Sequence, residues 1–513
     1  MRGNRANLLD PTAGDLARYY SALLSWLVKG WFVDEAGTNH TGGPRYDLSR
    51  AKGHTWELFN EAEHGYTWQQ YVHDYDVIVP AMIDAVGGAE NAPKFMGIGG
   101  ASSAWIGPFL NASNHHVAHN ANHTPPIDYV SQHFYAGAAN RTDPGCYAAN
   151  FFGEARGFVA RVEGFVATRD ASSFPRARLD LDELGVIMPG DNDPSLPLDA
   201  DLPDIYWNAA GAMYAYLFAR LAPLGVAVLG QSQLAGSPKI PEWGIPLPQF
   251  PSVSLLDWRT GFGNARYWVL KLLIEEFAPG DTFVETRARA ANPKPPPGPA
   301  RCAPELCGTV NGPAYGVLEL GCCGAGATIS GVDFADWGTP EGSCAAAGGA
   351  GNFTPSAHCT TAAKARAWAE RQCVGKAACA LKPYPSALGD PCVGQVKRLA
   401  VRARCTGAAG GRAQSANGAL GENVVALGVI GTDAGAANKK QKVLLINTQN
   451  APQQVALALA GAGGATSVSL RTVDPASVQV ASEHDGIRTE TVALPTPAAP
   501  MTLQPFAVAV AVF

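Results

Sequence analysis

The chain has 513 residues, with 44 acidic side chains against 38 basic ones and a net charge of -6. That balance gives no electrostatic reason to bind nucleic acid or an anionic membrane. Several domains are expected at this length, no apolar run is long enough to span a membrane, and the opening MRGNRANLLDP lacks the apolar core of a signal peptide.

In chain order, the first predicted element is a helix from about Asp15 to Lys29, with Leu16, Tyr19, Tyr20, Leu23, Leu24 and Leu27 on its apolar face. TWELFNEAEH (55 to 64) reads as a buried strand ending in Asn60 and Glu61. Thr67 caps a helix that Gly87 and Gly88 stop. KFMGIGG (94 to 100) and DYVSQHFYA (128 to 136) are strands, and a helix follows near 150 to 168. RLDLDELG (178 to 185) precedes a helix near 207 to 222, VAVLGQS (226 to 232) follows, and Asn264 opens the helix ARYWVLKLLIEEF. Five strand-helix units beginning at Thr55 argue for a parallel sheet buried on both faces. A closed α/β (TIM) barrel has eight. The expectation is therefore a barrel lacking its first three strands, in a chain incomplete at its N-terminus.

Strand mouths are where such a barrel carries chemistry. Trp56, Leu58 and Phe59 surround Glu61 with apolar bulk, which favours a raised pKa and a general acid. The second carboxylate is expected on another strand mouth. Glu183, ending RLDLDE close to the strand-breaking Gly185, fits, whereas side-chain alternation turns Asp182 the opposite way. Glu63 replaces Glu61 if the strand register slips by two. His115, His116, His119 and His123 crowd one loop without ligand spacing, so a solvated, glycosylated loop is favoured over a metal centre, and no cofactor is expected.

The Pro-rich stretch 286 to 301 and the Gly/Ala-rich stretch 406 to 419 read as linkers. Ten of the eleven cysteines lie between them, which indicates a disulfide-stapled module from an oxidising compartment. Sequons at Asn39, Asn111, Asn122, Asn140 and Asn352 agree with a secreted, vacuolar or lysosomal glycoprotein. Beyond 420, apolar residues alternate at short intervals between turns, as in an all-β sandwich. The expected layout is barrel 1-280, first sandwich strand and linker 281-301, cysteine module 302-406, linker 407-419 and sandwich 420-513, with DTFVETRA (281 to 288) as the strand that makes the module an insertion.

With Asn60-Glu61 ending one strand and Glu183 three strands later, residues 10 to 285 resemble the clan A glycoside hydrolases, nearest to the β-xylosidase-like and heparanase-like families. The resemblance implies Glu61 as acid/base, Glu183 as nucleophile, Asn60 on a sugar 2-hydroxyl, His133 or Tyr135 of HFY beside the nucleophile, and an aromatic floor for which Trp258 is the candidate. FADWG, CVGKAAC and DPCVGQVKRL in the cysteine module resemble the galactose/rhamnose-binding lectin domain of the sea-urchin egg lectin type. That likeness implies the bridges Cys307-Cys344, Cys322-Cys405, Cys359-Cys392 and Cys373-Cys379, with Cys302 paired to Cys323 and Cys146 free. It also implies a sugar site of Asp390, Gly394 and Lys397, with Trp337 and Gly338 standing where the family has a Tyr-Gly-Arg segment and Trp337 stacking on the sugar. The leading expectation is a retaining glycosidase with an attached carbohydrate-binding module. The rival is a non-catalytic binding protein whose lectin module carries the activity.

Overall fold

The computed structural model of the protein describes residues 12-46, 54-100, 103-117, 125-138, 141-188, 191, 202-236, 251-256, 261-286, 305-312, 318-321, 328-344, 352-381, 383, 388-392, 397-406, 412-413, 423-431, 440-456, 467-478, 486-493 and 501-513, apart from the isolated positions 35, 143, 285 and 377. Helix α1 (Ala13–Lys29) is capped by the Thr12 hydroxyl, which accepts from the Asp15 amide, and ends at Gly30 with φ 84°. A hairpin, β1 (Trp31–Val33) with β2 (Asn39–Thr41), precedes β3 (Thr55–Glu57) and α2 (Trp68–Ala85). Thr67 and Gln70 close a reciprocal capping box at the start of α2, so one pair of side chains satisfies two otherwise orphan amides.

Next come β4 (Lys94–Gly100), β5 (Tyr129–Ala136), α3 (Tyr147–Asp170), β6 (Arg178–Val186), α4 (Ile205–Leu221), β7 (Val228–Gln231) and α5 (Ala265–Glu276). Strands β3 to β7 form one sheet in strict sequence order, and the β3-β4, β4-β5 and β6-β7 pairs are parallel. A doubly wound sheet would reverse its order at a switch point, whereas a sequential order with helical crossovers is the arc of an α/β barrel. Every residue of β4 after Lys94 is buried, as expected of a strand covered on both faces. The predicted β3 ran to Glu61; the observed strand stops at Glu57, because Phe59 (φ 64°) and Glu61 (φ 49°) occupy the left-handed region and cannot continue an extended chain.

By compactness the chain divides into two units. One comprises Met1–Phe134, Ala160–Leu184 and Leu221–Gln231; the other comprises the remainder. In the second unit, β8 (Thr282–Val284) pairs with β15 (Val424–Ile430). The sheet continues through β16 (Gln441–Asn447), β21 (Val508–Val512), β18 (Ser467–Val473) and β19 (Arg488–Ala493), with β17 (Gln453–Val455) and β20 (Met501–Leu503) as a separate pair. Between β8 and β15 in sequence come β9 (Glu305–Gly312), β10 (Leu318–Gly321), β11 (Ile329–Gly338), α6 (Ala362–Cys373), β12 (Ala378–Leu381), β13 (Lys397–Cys405) and β14 (Arg412–Ala413), in two three-stranded sheets. β14 falls within the stretch read as the second linker, and it pairs with β10. Leu306, Leu318, Leu320, Trp337, Leu399 and Val401 form the core of this insertion.

Bridges Cys307–Cys344, Cys359–Cys392 and Cys373–Cys379 are present, with Cα separations of 5.6, 5.4 and 5.0 Å. Cys302, Cys322 and Cys323 lie outside the described residues, as does the Cys146 side chain. No helix among the described residues is long and apolar enough to cross a membrane. The sequon residues Asn39, Asn111 and Asn352 are exposed, and Asn122 and Asn140 fall outside the described set. His115 departs from the solvated-loop expectation: it is buried, its Nδ1 2.7 Å from Asp76 Oδ1 and its Nε2 2.7 Å from the Phe109 carbonyl oxygen.

Candidate active site

The carboxylates gather in the first unit around one imidazole. His133, on β5, is 1% exposed. Its Nδ1 lies 3.2 Å from Glu61 Oε1 and 3.4 Å from Glu183 Oε2. Its Nε2 faces Asp182 Oδ1 at 3.7 Å, an ion-pair separation too long for a hydrogen bond. One oxygen of Glu61, one of Glu183 and a His133 nitrogen all lie within 4.8 Å of one another, and so does a second set from Glu57, His133 and Asp182.

Backbone irregularities aim these side chains. Between Leu181 and Leu184 the β6-β7 register shifts, so that Asp182 and Glu183 together oppose Gly230. This is a β-bulge, which releases a strand from side-chain alternation. It explains why Asp182 and Glu183 both reach His133, although the alternation rule separated them. It also corrects the placement of Glu183, which is an interior residue of a strand that continues through Gly185 to Val186. Gly230 permits the bulge, since a Cβ there would stand 2.6 Å from the Asp182 carbonyl oxygen. On the other side, the Glu61 amide donates to the Gly99 carbonyl at 2.5 Å, and Tyr71 of α2 donates to the Leu58 carbonyl at 2.8 Å. The left-handed Phe59 and Glu61 cost about 1–3 kcal/mol each, and these two bonds brace the turn that contains them.

Two tiers of carboxyl groups result. Glu61 and Glu183 are partly exposed, at 23% and 31% of their side chains. Beneath them, Glu57 accepts a short hydrogen bond from the Ser131 hydroxyl, which in turn accepts from the Gly99 amide at 2.8 Å. Burial, and then the charge of Asp182, pushes Glu57 up to about 9, against the opposing hydrogen bond from Ser131. Burial works against a charge on His133, but Asp182, Glu61 and Glu183 together outweigh it and raise the imidazole to about 10. Glu61 moves opposite to the sequence expectation. Its hydrogen bond from His133 outweighs its burial and, with His64 beside it, holds the carboxyl below the ordinary glutamate value. Burial does raise the carboxyl, as expected, but the imidazole in contact with it dominates.

Asn60 lies in the Glu61 turn, half-buried, and Trp258 falls outside the described residues. Tyr135 belongs to the second unit, where its hydroxyl donates to Ser232 at 2.7 Å. Glu63 packs its carboxylate against Gly100, where a Cβ would stand 2.4 Å from it. Sequence reasoning missed Glu57 as a member of the cluster. The available signal was its place four residues before Glu61, at the end of β3.

In the cysteine module, Asp390 and Lys397 form an ion pair of 2.6 Å, with the lysine nearly buried. That contact, chiefly, holds Asp390 below the usual aspartate value. Gly394 lies outside the described residues. The expectation that Trp337 stacks on a sugar is corrected: Trp337 is 0% exposed and its Nε1 donates to the Gly389 carbonyl at 3.0 Å, so neither ring face is open. Gly338 is required by packing, since a Cβ there would meet the Cys359 carbonyl oxygen at 1.9 Å.

Together these features define an α/β half-barrel, a β-sandwich and a disulfide-bridged insertion. Residues 321–405 match the D-galactoside/L-rhamnose binding SUEL lectin domain, and residues 429–511 match the C-terminal immunoglobulin-like domain of D-apionate lactonase. The chain is similar to β-galactosidase 6 of Oryza sativa subsp. japonica, 35% identical over 104 residues that make up 20% of this chain and 11% of that protein. It is also similar to β-galactosidase 8 of Arabidopsis thaliana, 34% identical over 90 residues, 18% of this chain and 10% of that one. The matched stretch thus spans about a tenth of each relative. Similar solved structures include an α-L-arabinofuranosidase from Thermotoga maritima in complex with arabinose (12% identity, 98% of this chain, 73% of that chain, TM-score 0.48). A family 39 β-xylosidase from Caulobacter crescentus is another (12% identity, 98% and 72% coverage, TM-score 0.42).

Proposed function

We propose that the protein is a secreted, vacuolar or lysosomal retaining glycoside hydrolase acting on a glycan or glycoside, with Glu183 as nucleophile and Glu61 as acid/base. The observation that carries this reading is the approach of the two carboxylates to within 4.8 Å across one histidine. Retaining enzymes hold their carboxyl groups about 5–5.5 Å apart, whereas inverting enzymes leave about 6.5–9.5 Å for a water. Glu183 attacks the anomeric carbon as the glycosidic C–O bond breaks, and Glu61 gives a proton to the departing oxygen. Water then attacks the glycosyl ester, Glu61 takes its proton, and Glu183 is released. Asn60, in the same turn as Glu61, bonds the sugar 2-hydroxyl. No step calls for a cofactor.

The lectin match and the three bridges support a carbohydrate partner and an oxidising compartment. The names of the plant relatives do not set the sugar cleaved, because so little of them is matched. The test is Glu61→Gln assayed on a panel of aryl glycosides. Substrates with poor leaving groups lose about 10²–10⁴-fold in kcat/KM, and those with good leaving groups are nearly unaffected, since an acid matters most when the leaving oxygen needs its proton. Equal loss on both kinds removes Glu61 from the acid role.

A further inference from the structure

The second carboxyl tier has no part in the mechanism above, and the acid it describes is held ionised at rest. His133 touches both tiers. Its Nδ1 is bracketed by Glu61 at 3.2 Å and Glu183 at 3.4 Å, and its Nε2 faces Asp182 at 3.7 Å. Asp182 and the imidazole lie in turn within 4.8 Å of Glu57, which Ser131 holds in place. Among the described residues, the ionisable groups that face this ring are Glu57 from β3, Glu61 from the turn after it, and Asp182 and Glu183 from the β6 bulge.

We propose that His133 is a catalytic residue: it stores the proton destined for the leaving group and passes it from Nδ1 to Glu61 as Glu183 loses its charge to the substrate. This rests on the hydrolase reading above. In the free protein, two carboxylates at Nδ1 and one at Nε2 favour the imidazolium. When Glu183 forms its ester, one of the two charges at Nδ1 disappears. The imidazolium then holds its proton less tightly, at the moment when the departing oxygen requires one. The Nδ1–H bond breaks and a Glu61 O–H bond forms, and that proton moves on to the leaving oxygen. In the second half, Glu61 takes a proton from the attacking water and returns it to Nδ1 as Glu183 regains its charge, so the cycle closes with no net change in the protein. Asp182 is a positioning residue that holds the ring from its far side. Burial and the neighbouring charge of Asp182 hold Glu57 well above the ordinary glutamate range, which disfavours a further negative charge in that tier.

The experiment is ¹⁵N NMR of the full chain labelled at histidine, with the His133 signal identified by its loss in His133→Gln. If that variant fails to fold, the signal is identified instead by its displacement in Asp182→Asn. In the free protein His133 is expected to carry both ring protons at pH 7.5. In Glu183→Gln, where the nucleophile is neutral as in the ester, it is expected to bind its proton at least about tenfold more weakly, a drop of one pH unit or more in its midpoint. Asp182→Asn lowers the midpoint as well. A neutral His133 in the free protein at pH 7.5, or a midpoint unchanged by Glu183→Gln, overturns the proposal. These readouts need no turnover, so a failure of the hydrolase reading in the Glu61→Gln assay is distinguished from a failure of this one.

Discussion

Glu183→Gly is expected to reduce turnover by a factor on the order of 10⁴ or more, and azide is expected to restore part of it. The β6 bulge carries Glu183 to within 4.8 Å of Glu61 without making it a cornerstone of the packing, since its side chain is 31% exposed. Truncation removes the attacking oxygen and leaves space beside the anomeric carbon, which a small anion can enter. Azide arriving from that side gives a glycosyl azide of inverted configuration, because its attack is a single displacement. Rescue is measured by following aryl glycoside cleavage against azide concentration. An active Glu183→Gly variant that forms no glycosyl azide assigns the nucleophile to another residue, with Asp182 the nearest alternative.

The second large effect is on stability. Trp337→Ala is expected to destabilise the lectin insertion by about 3–5 kcal/mol, the usual cost of removing a fully buried tryptophan. Its ring lies in the core with Leu306, Leu320 and Leu399, and its indole nitrogen satisfies the Gly389 carbonyl. For a module of this size that lowers the melting temperature by more than about 12 °C. The change is read in the full chain by calorimetry as the shift of one transition with the others unmoved. A variant that melts normally but binds sugar more weakly would return Trp337 to the role of a stacking platform.

The contrast between these two residues shows what the sequence makes legible. Strands β4 to β7 and helices α1, α2 and α5 announce themselves through local signals: apolar runs of the right period, Thr67 with Gln70, Asn264 ahead of its helix. DTFVETRA was expected as the first strand of the sandwich, and β8 within it pairs with β15. Glu61 could be picked out because it follows an apolar run, Glu183 because RLDLDE carries it three strands later, and His133 only through the family resemblance. Their chemistry was less accessible. The bulge that brings Asp182 beside Glu183 depends on Gly230, some fifty residues away in a neighbouring strand. The sign of the Glu61 shift depends on His133 from another strand. A local reading of Trp56, Leu58 and Phe59 anticipates burial of Glu61 but not the histidine that another strand brings against it. Trp337 shows the converse error: its slot in a family motif suggested exposure, and only the packing of β11 against α6 and β13 shows that the ring is enclosed.

The most direct test of the central claim is ¹H NMR of the sugar released from an aryl glycoside in the first minutes of hydrolysis, before its anomers equilibrate. One oxygen of Glu61 lying within 4.8 Å of one oxygen of Glu183 predicts a first product with the anomeric configuration of the substrate. A first product of inverted configuration would mean that water attacks directly, and it would contradict the assignment of Glu183 as a nucleophile.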